Sequence, residues 1–114
     1  MLRLILTAGF IAGAAPVLAG DTYYIDGYRQ SCRVGQGGEG IIAVGNGWIS
    51  LTESYYERQG KRQALPGGWQ RAQWACMAEG MECGRERLDI RLDAGRVDVR
   101  NAAGRTFTGL RCPA

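Results

Sequence analysis

From Arg85 to Cys112 the chain reads RERLDIRLDAGRVDVRNAAGRTFTGLRC, apolar and charged residues alternating with a period of two. That period marks strands with one face in a core and the other in water. Leu88, Ile90 and Leu92 share one face, and Arg87, Asp89, Arg91 and Asp93 share the other. After Ala94-Gly95 the pattern resumes, with Val97 and Val99 opposed to Arg96, Asp98 and Arg100. A turn at Ala94-Gly95 predicts Leu92 against Val97 and Ile90 against Val99, with Asp93 meeting Arg96, Arg91 meeting Asp98 and Asp89 meeting Arg100. Every charge pair is of opposite sign, worth roughly 0.2–1 kcal/mol each. A slip in register would set valines against arginines, so the pairing is strongly specified. Next, a three-residue loop ending at Gly104 in the left-handed region pairs Val99 with Phe107. Leu110 and Cys112 then fall on the wrong face, which predicts a bulge at Gly109.

A second hairpin is written around Asn46-Gly47, the preferred pair for a two-residue turn with positive φ at both positions. It sets Val44 against Ile49 and Ile42 against Leu51, with Ala43 opposite Ser50 and Ile41 opposite Thr52. Alternation of Leu51, Glu53 and Tyr55 with Thr52, Ser54 and Tyr56 extends the second strand to Arg58. Trp48 and Tyr56, an even number of residues apart, then project from the same face. Arg58 to Gly68, RQGKRQALPGG, reads as a loop, with Arg58, Lys61 and Arg62 as a positive cluster free of interleaved acids. The segment Trp69–Glu79 fits two readings. As a helix it makes the domain α+β; as a strand it aligns Ala72, Trp74 and Cys76, and Ala78 to Glu82 becomes a hairpin loop. The strand reading is the expectation, because it suits a Cys76–Cys83 bridge.

Towards the start, Tyr23, Tyr24 and Tyr28 surround Ile25-Asp26-Gly27 in a short strand or irregular edge. Gln36 to Gly40 is glycine-rich, but no Lys-Ser/Thr and no helix follow it, so it is a turn and not a phosphate cradle. Met1 to Ala19 has Arg3, a short apolar run and Val17-Leu18-Ala19, the plan of a secretory signal peptide. Position 20 is Gly, so no acylated cysteine follows cleavage and no stable membrane anchor is expected. Residues 20–114 then form a single small domain in the periplasm or outside the cell. Thirteen basic against eleven acidic side chains leave that domain a net charge of +2, too little to argue for nucleic acid.

Cys32, Cys76, Cys83 and Cys112 all lie in the exported part, an even count that reads as two disulfides. The expected pairs are Cys32–Cys112, tying the domain ends, and Cys76–Cys83, closing a short loop. Their spacing fits no common zinc site, and Cys-x-x-Cys is absent.

Candidate chemistry is sparse. The chain has no histidine, the commonest general base and metal ligand. Glu79, Glu82 and Glu86 are the nearest thing to paired acids, but glycoside hydrolysis needs a deep cleft between two carboxyls. Lys61 is the only lysine, so a Ser–Lys nucleophile would depend on a glycine-flanked loop. A thiol-active or hydrolytic enzyme is therefore the minor alternative, and no cofactor or metal is implied.

A cysteine near each end of a small β domain, over Tyr28 to Cys112, resembles the layout of the periplasmic C-type lysozyme inhibitors. Where that family carries Ser-Gly and then an aromatic-Trp-x-Lys-Gly segment, this chain has Glu79-Gly80 and Arg87-Leu88-Asp89, so no inhibitory residue carries over. The resemblance implies a β fold and, as the alternative function, lysozyme inhibition.

The sequence thus predicts an all-β domain: a disulfide-stapled antiparallel sheet or partly closed barrel of about six strands. The expected function is binding without catalysis, to a protein or cell-envelope component. The expected contact residues are Trp48, Tyr56, Arg58, Lys61 and Arg62, where aromatic and Arg anchors meet a positive loop that steers an acidic partner.

Overall fold

A computed structural model describes residues 20–113; the expected signal peptide lies outside them. Eight strands follow one another: β1 (Asp21–Tyr24), β2 (Ile41–Gly45), β3 (Trp48–Ser50), β4 (Tyr55–Ala64), β5 (Gln70–Ala78), β6 (Met81–Asp93), β7 (Arg96–Asn101) and β8 (Thr106–Arg111). Each pairs antiparallel with the next, and β8 returns to β1, so the sheet closes into a barrel. The all-β reading with two disulfides holds. The barrel is fully closed, however, and has eight strands instead of about six.

The strand count differs where residues 48–58 were expected to run straight. Thr52-Glu53-Ser54 contributes no apolar side chain to either face, and the chain turns there, Leu51 N–H donating to Ser54 O at 2.8 Å. β4 then returns along β3 with Ile49 opposite Tyr56 and Trp48 opposite Glu57. The Asn46-Gly47 hairpin keeps Val44 opposite Ile49 and Ala43 opposite Ser50, but the pairing stops at Ser50, before Leu51 and Thr52. Arg58 to Ala64 also departs from the loop reading. It continues β4, paired with β5 through Gln59–Gln73 and Gln63–Arg71, with an irregularity between them around Gly60 at φ 79°. Backbone pairing alone holds this stretch, so side-chain alternation did not mark it. The Asn46-Gly47 and Ala94-Gly95 turns lie at one end of the barrel, called lower below. The 51–54 turn and the 102–104 loop lie at the upper end.

Trp69–Glu79 resolves as strand β5, and Ala72 and Trp74 are buried in the core. The expected five-residue loop after it is instead a two-residue turn at Glu79-Gly80, both with positive φ, with Ala78 opposite Met81. The β6–β7 register is as the alternation predicts, from Asp93–Arg96 to Asp89–Arg100. Val99 faces Phe107 across the 102–104 loop, with Gly104 at φ 88°.

No bulge occurs at Gly109, which sits in unbroken register opposite Val97. Leu110 stays outside, 46 % exposed. The glycine serves close approach: a Cβ there would stand 2.8 Å from Tyr23 Cβ and 3.3 Å from Val97 Cγ1. Tyr23, Ile42, Ile49, Ala72, Trp74, Leu88, Val97 and Val99 fill the interior around it.

The outer face of β5–β8 is not the solvated charge ladder the sequence suggests. Asp89 and Asp98 are 1 % and 3 % exposed. Asp89 accepts two bonds from Arg71, at 2.8 and 3.1 Å, and two from Arg100, at 3.0 and 2.9 Å. Asp98 accepts from Arg91 at 3.0 Å, Arg96 at 3.2 Å and Thr108 at 2.7 Å. Asp93 stands opposite Arg96 in register but bonds the Ala94 N–H instead. Trp69 lies against this row, with the guanidinium carbons of Arg91 and Arg100 at 4.3 and 4.0 Å from its ring centroid. Cations over an indole face are attracted by its quadrupole.

Cys32, in a 3-10 turn over Arg29–Arg33, is bridged to Cys112, and Cys76 to Cys83. Two bridges in so small a domain fit an oxidising compartment.

Three outcomes follow. Gly109→Ala should cost about 1–3 kcal/mol by overpacking the interior, whereas Leu110→Thr should leave the melting temperature almost unchanged. Asp89→Asn should cost about 2 kcal/mol at neutral pH, the scale of lost hydrogen bonds to a charged group. The Arg71 bonds, aided by Arg100, overcome burial and hold Asp89 below the ordinary carboxylate range. At Asp98 burial opposes ionisation, and the bonds from Thr108, Arg91 and Arg96 outweigh it. Depressed carboxylates contribute stability that is present above their unfolded pKa near ~4 and lost as pH falls through the folded value. Thermal melts from neutral pH into acid should therefore fall less steeply for Asp89→Asn than for the wild type.

Candidate functional site

β4 differs from the other strands in being polar along both faces below Tyr56. Tyr56 packs against the core. Two residues on, the same parity points Arg58 inward and down, opposite Trp74 of β5. The irregularity at Gly60 then carries Arg62 to the same opening. These side chains, with Gln70, Trp74, Ile90 and Leu92, border a cavity of about 190 Å³ at the lower end of the barrel, closed on one side by the Asn46-Gly47 turn. Arg58 is half-buried, its Nε donating to Gly60 O at 3.2 Å, and Arg62 is exposed. Neither has a carboxylate within 4.0 Å among the described residues, whereas Arg71, Arg85, Arg91, Arg96, Arg100 and Arg111 all do. The mouth thus combines apolar side chains in a mixed wall with a cationic rim.

The expected contact residues divide. Arg58 and Arg62 come together at the mouth, and Lys61 stands exposed between them in sequence on the same strand. Trp48 belongs to the same end of the barrel but to its outer surface. It stacks on Tyr55 with ring centroids 6.0 Å apart and lies over Gly45 and Gly20, where a Cβ would stand 2.1 and 2.8 Å from the indole. It is a cover for the sheet end. Trp48 and Tyr56 do not share a face, because the turn at 51–54 separates them into strands paired Ile49 to Tyr56.

Tyr56 faces inward and donates to Glu86 Oε1 at 3.2 Å. Burial, the Glu86 charge and that bond raise its phenol above the ordinary tyrosine value. The three glutamates do not assemble into an acid pair. Glu79 forms the turn, Glu82 accepts from Arg85 at 3.1 Å on an exposed hairpin, and Glu86 is engaged by Tyr56. At the upper end a second opening, about 340 Å³, is lined by Ile25, Ile41, Ile42, Leu51 and Phe107, with Thr52 and Glu53 at its edge.

Trp74, Gln70, Ile90 and Leu92 were not among the expected site residues. The pairing of Trp74 with Ala72 in strand parity marked the indole as interior, but their convergence with β4 depends on barrel closure. Known protein families, curated proteins and solved structures offer no match to this chain.

Replacing Glu86 by Gln removes the charge facing the Tyr56 phenol. The Tyr56 step in the tyrosinate absorbance titration, identified by its loss in Tyr56→Phe, should then move down.

Proposed function

We propose that this is an exported, periplasmic or secreted binding domain without catalysis, which docks an acidic protein or cell-envelope component at the lower end of its barrel. One observation carries the reading: Arg58 and Arg62 stand together at the mouth without carboxylate partners, whereas Arg71, Arg91, Arg96 and Arg100 on the outer face are paired with Asp89 and Asp98. Arg58 and Arg62, with Lys61 between them in sequence, form a local positive cluster at this end of the barrel, and such a cluster steers an oppositely charged partner. The lysozyme-inhibitor resemblance adds no residue to this surface, since Glu79-Gly80 forms a tight turn near the upper end.

The test is capture from an envelope extract on immobilised domain, followed by affinity measurement with the recovered partner. The combined Arg58→Ala, Lys61→Ala, Arg62→Ala variant should bind more weakly and show a flatter salt dependence. Trp48→Ala should lower the melting temperature and leave affinity in place. Equal capture by the wild type and the triple variant, both folded by circular dichroism, would move the docking surface elsewhere.

A further inference from the structure

The lower mouth holds more than loose positive charge. Its wall is mixed, with apolar surface from Ala72, the Trp74 ring, Ile90 and Leu92 beside Gln70 and the Asn46-Gly47 turn, and its rim carries the two guanidinium groups without carboxylate partners. Trp74 is 4 % exposed, and its Nε1–H, the one fully buried side-chain polar atom without a partner among the described residues, is sealed from water and so from the cavity. Trp74 therefore offers the cavity ring surface alone, beneath a rim with unused cationic donors.

Size and donor set together restrict the ligand. A cavity of about 150 Å³ accepts a benzene ring, so one of about 190 Å³ suits a single ring or a short branched chain with one small head group. Guanidinium forks match a carboxylate in a bidentate geometry. A phosphate dianion carries more charge and would give up more water beside the Trp74 and Ile90 side chains, which favours a carboxylate. From this combination we infer that the lower mouth is a binding site for a carboxylate carried on a compact apolar body. The body lies against Trp74 and Ile90, and the carboxylate is held by Arg58 and Arg62. This rests on the binding reading above and specifies its anchor. A free aryl-alkanoic acid and the C-terminal carboxylate of a chain ending in an apolar residue present the same chemistry.

The experiment titrates the oxidised domain with 3-phenylpropanoate, 3-phenylpropanamide, inorganic phosphate, and a short peptide ending in Phe as free acid or amide. Indole N–H resonances are followed by NMR, the Trp74 signal being assigned through Trp74→Phe. The expected result is saturable displacement of the Trp74 resonance by 3-phenylpropanoate. The amide and phosphate should each bind about tenfold more weakly or worse, the scale of one lost charge-assisted bond. Arg58→Gln with Arg62→Gln should erase the preference for acid over amide. Tighter binding of the free-acid peptide than of 3-phenylpropanoate identifies a chain terminus as the natural source, and the reverse order identifies a free acid. Equal binding of acid and amide, or no shift at millimolar 3-phenylpropanoate and peptide, overturns the inference. If the triple alanine variant still loses the captured partner in that case, the acidic-partner reading stands and only its anchor is wrong.

Discussion

The barrel depends on its seam. β1 and β8 meet through two residue pairs, Tyr23 with Arg111 and Tyr24 with Leu110, and this short contact closes a ring whose other joins are hairpins between consecutive strands. Several features concentrate on it. Cys112 N–H donates to Thr22 O at 3.0 Å, Arg111 reaches Asp21 at 3.0 Å, and Cys112 is bridged to Cys32. Gly109 lets Tyr23 lie against the β8 backbone where any side chain would collide. Closure gives every strand a neighbour on both sides, although the far part of β4 and the first part of β6 run on beyond one of theirs, and it makes one interior from eight strands too short to enclose one separately.

Around that ring the polarity is uneven. The wall formed by β5, β6 and β7 is packed on both sides, by Trp74, Leu88 and Val99 inside and by Trp69 with the Asp89 and Asp98 clusters outside. Its charged rows run across strands: Arg71, Asp89 and Arg100 in one, Arg91, Asp98 and Thr108 in the next. β4 has no such cover in its lower half, and its cations are left without partners. A rigid wall facing an unneutralised strand gives the lower mouth both a fixed apolar surface and an available charge.

Much of this was legible from local rules. Period-two alternation and turn chemistry specify β6–β7 and the Ala102–Gly104 loop, Asn46-Gly47 places the first hairpin, and the pairing favoured among the three that four cysteines allow is the one observed. Several of the misreadings share a cause, since they depend on residues distant in sequence. Lower β4 is a strand because β5 pairs with it, although its own side chains show no alternation. Asp89 and Asp98 are buried among arginines from β5, β6 and β7, and Trp69, just before β5, lies against Arg91 and Arg100. Gly109 has its role through Tyr23, across the seam. Arg58 and Arg62 were found as a charge cluster, but the cavity beside them needed β2, β4, β5 and β6 to converge. Parity between Trp48 and Tyr56 failed because a turn lies between them.

The two disulfides stand in very different relations to the chain. Cys76 and Cys83 are 7 residues apart, and Cys32 and Cys112 are 80 apart. Bringing chain ends together costs more entropy as the intervening length grows, so the short pair meets readily in any chain that forms the β5–β6 hairpin. The long pair is held side by side by the closed seam. Oxidation therefore has a built-in order: the hairpin bridge is within reach before the ring exists, and the terminal bridge records that it has closed. A molecule carrying the first bridge with Cys32 and Cys112 still as thiols has no covalent tie between the two, and one carrying both has had its topology locked.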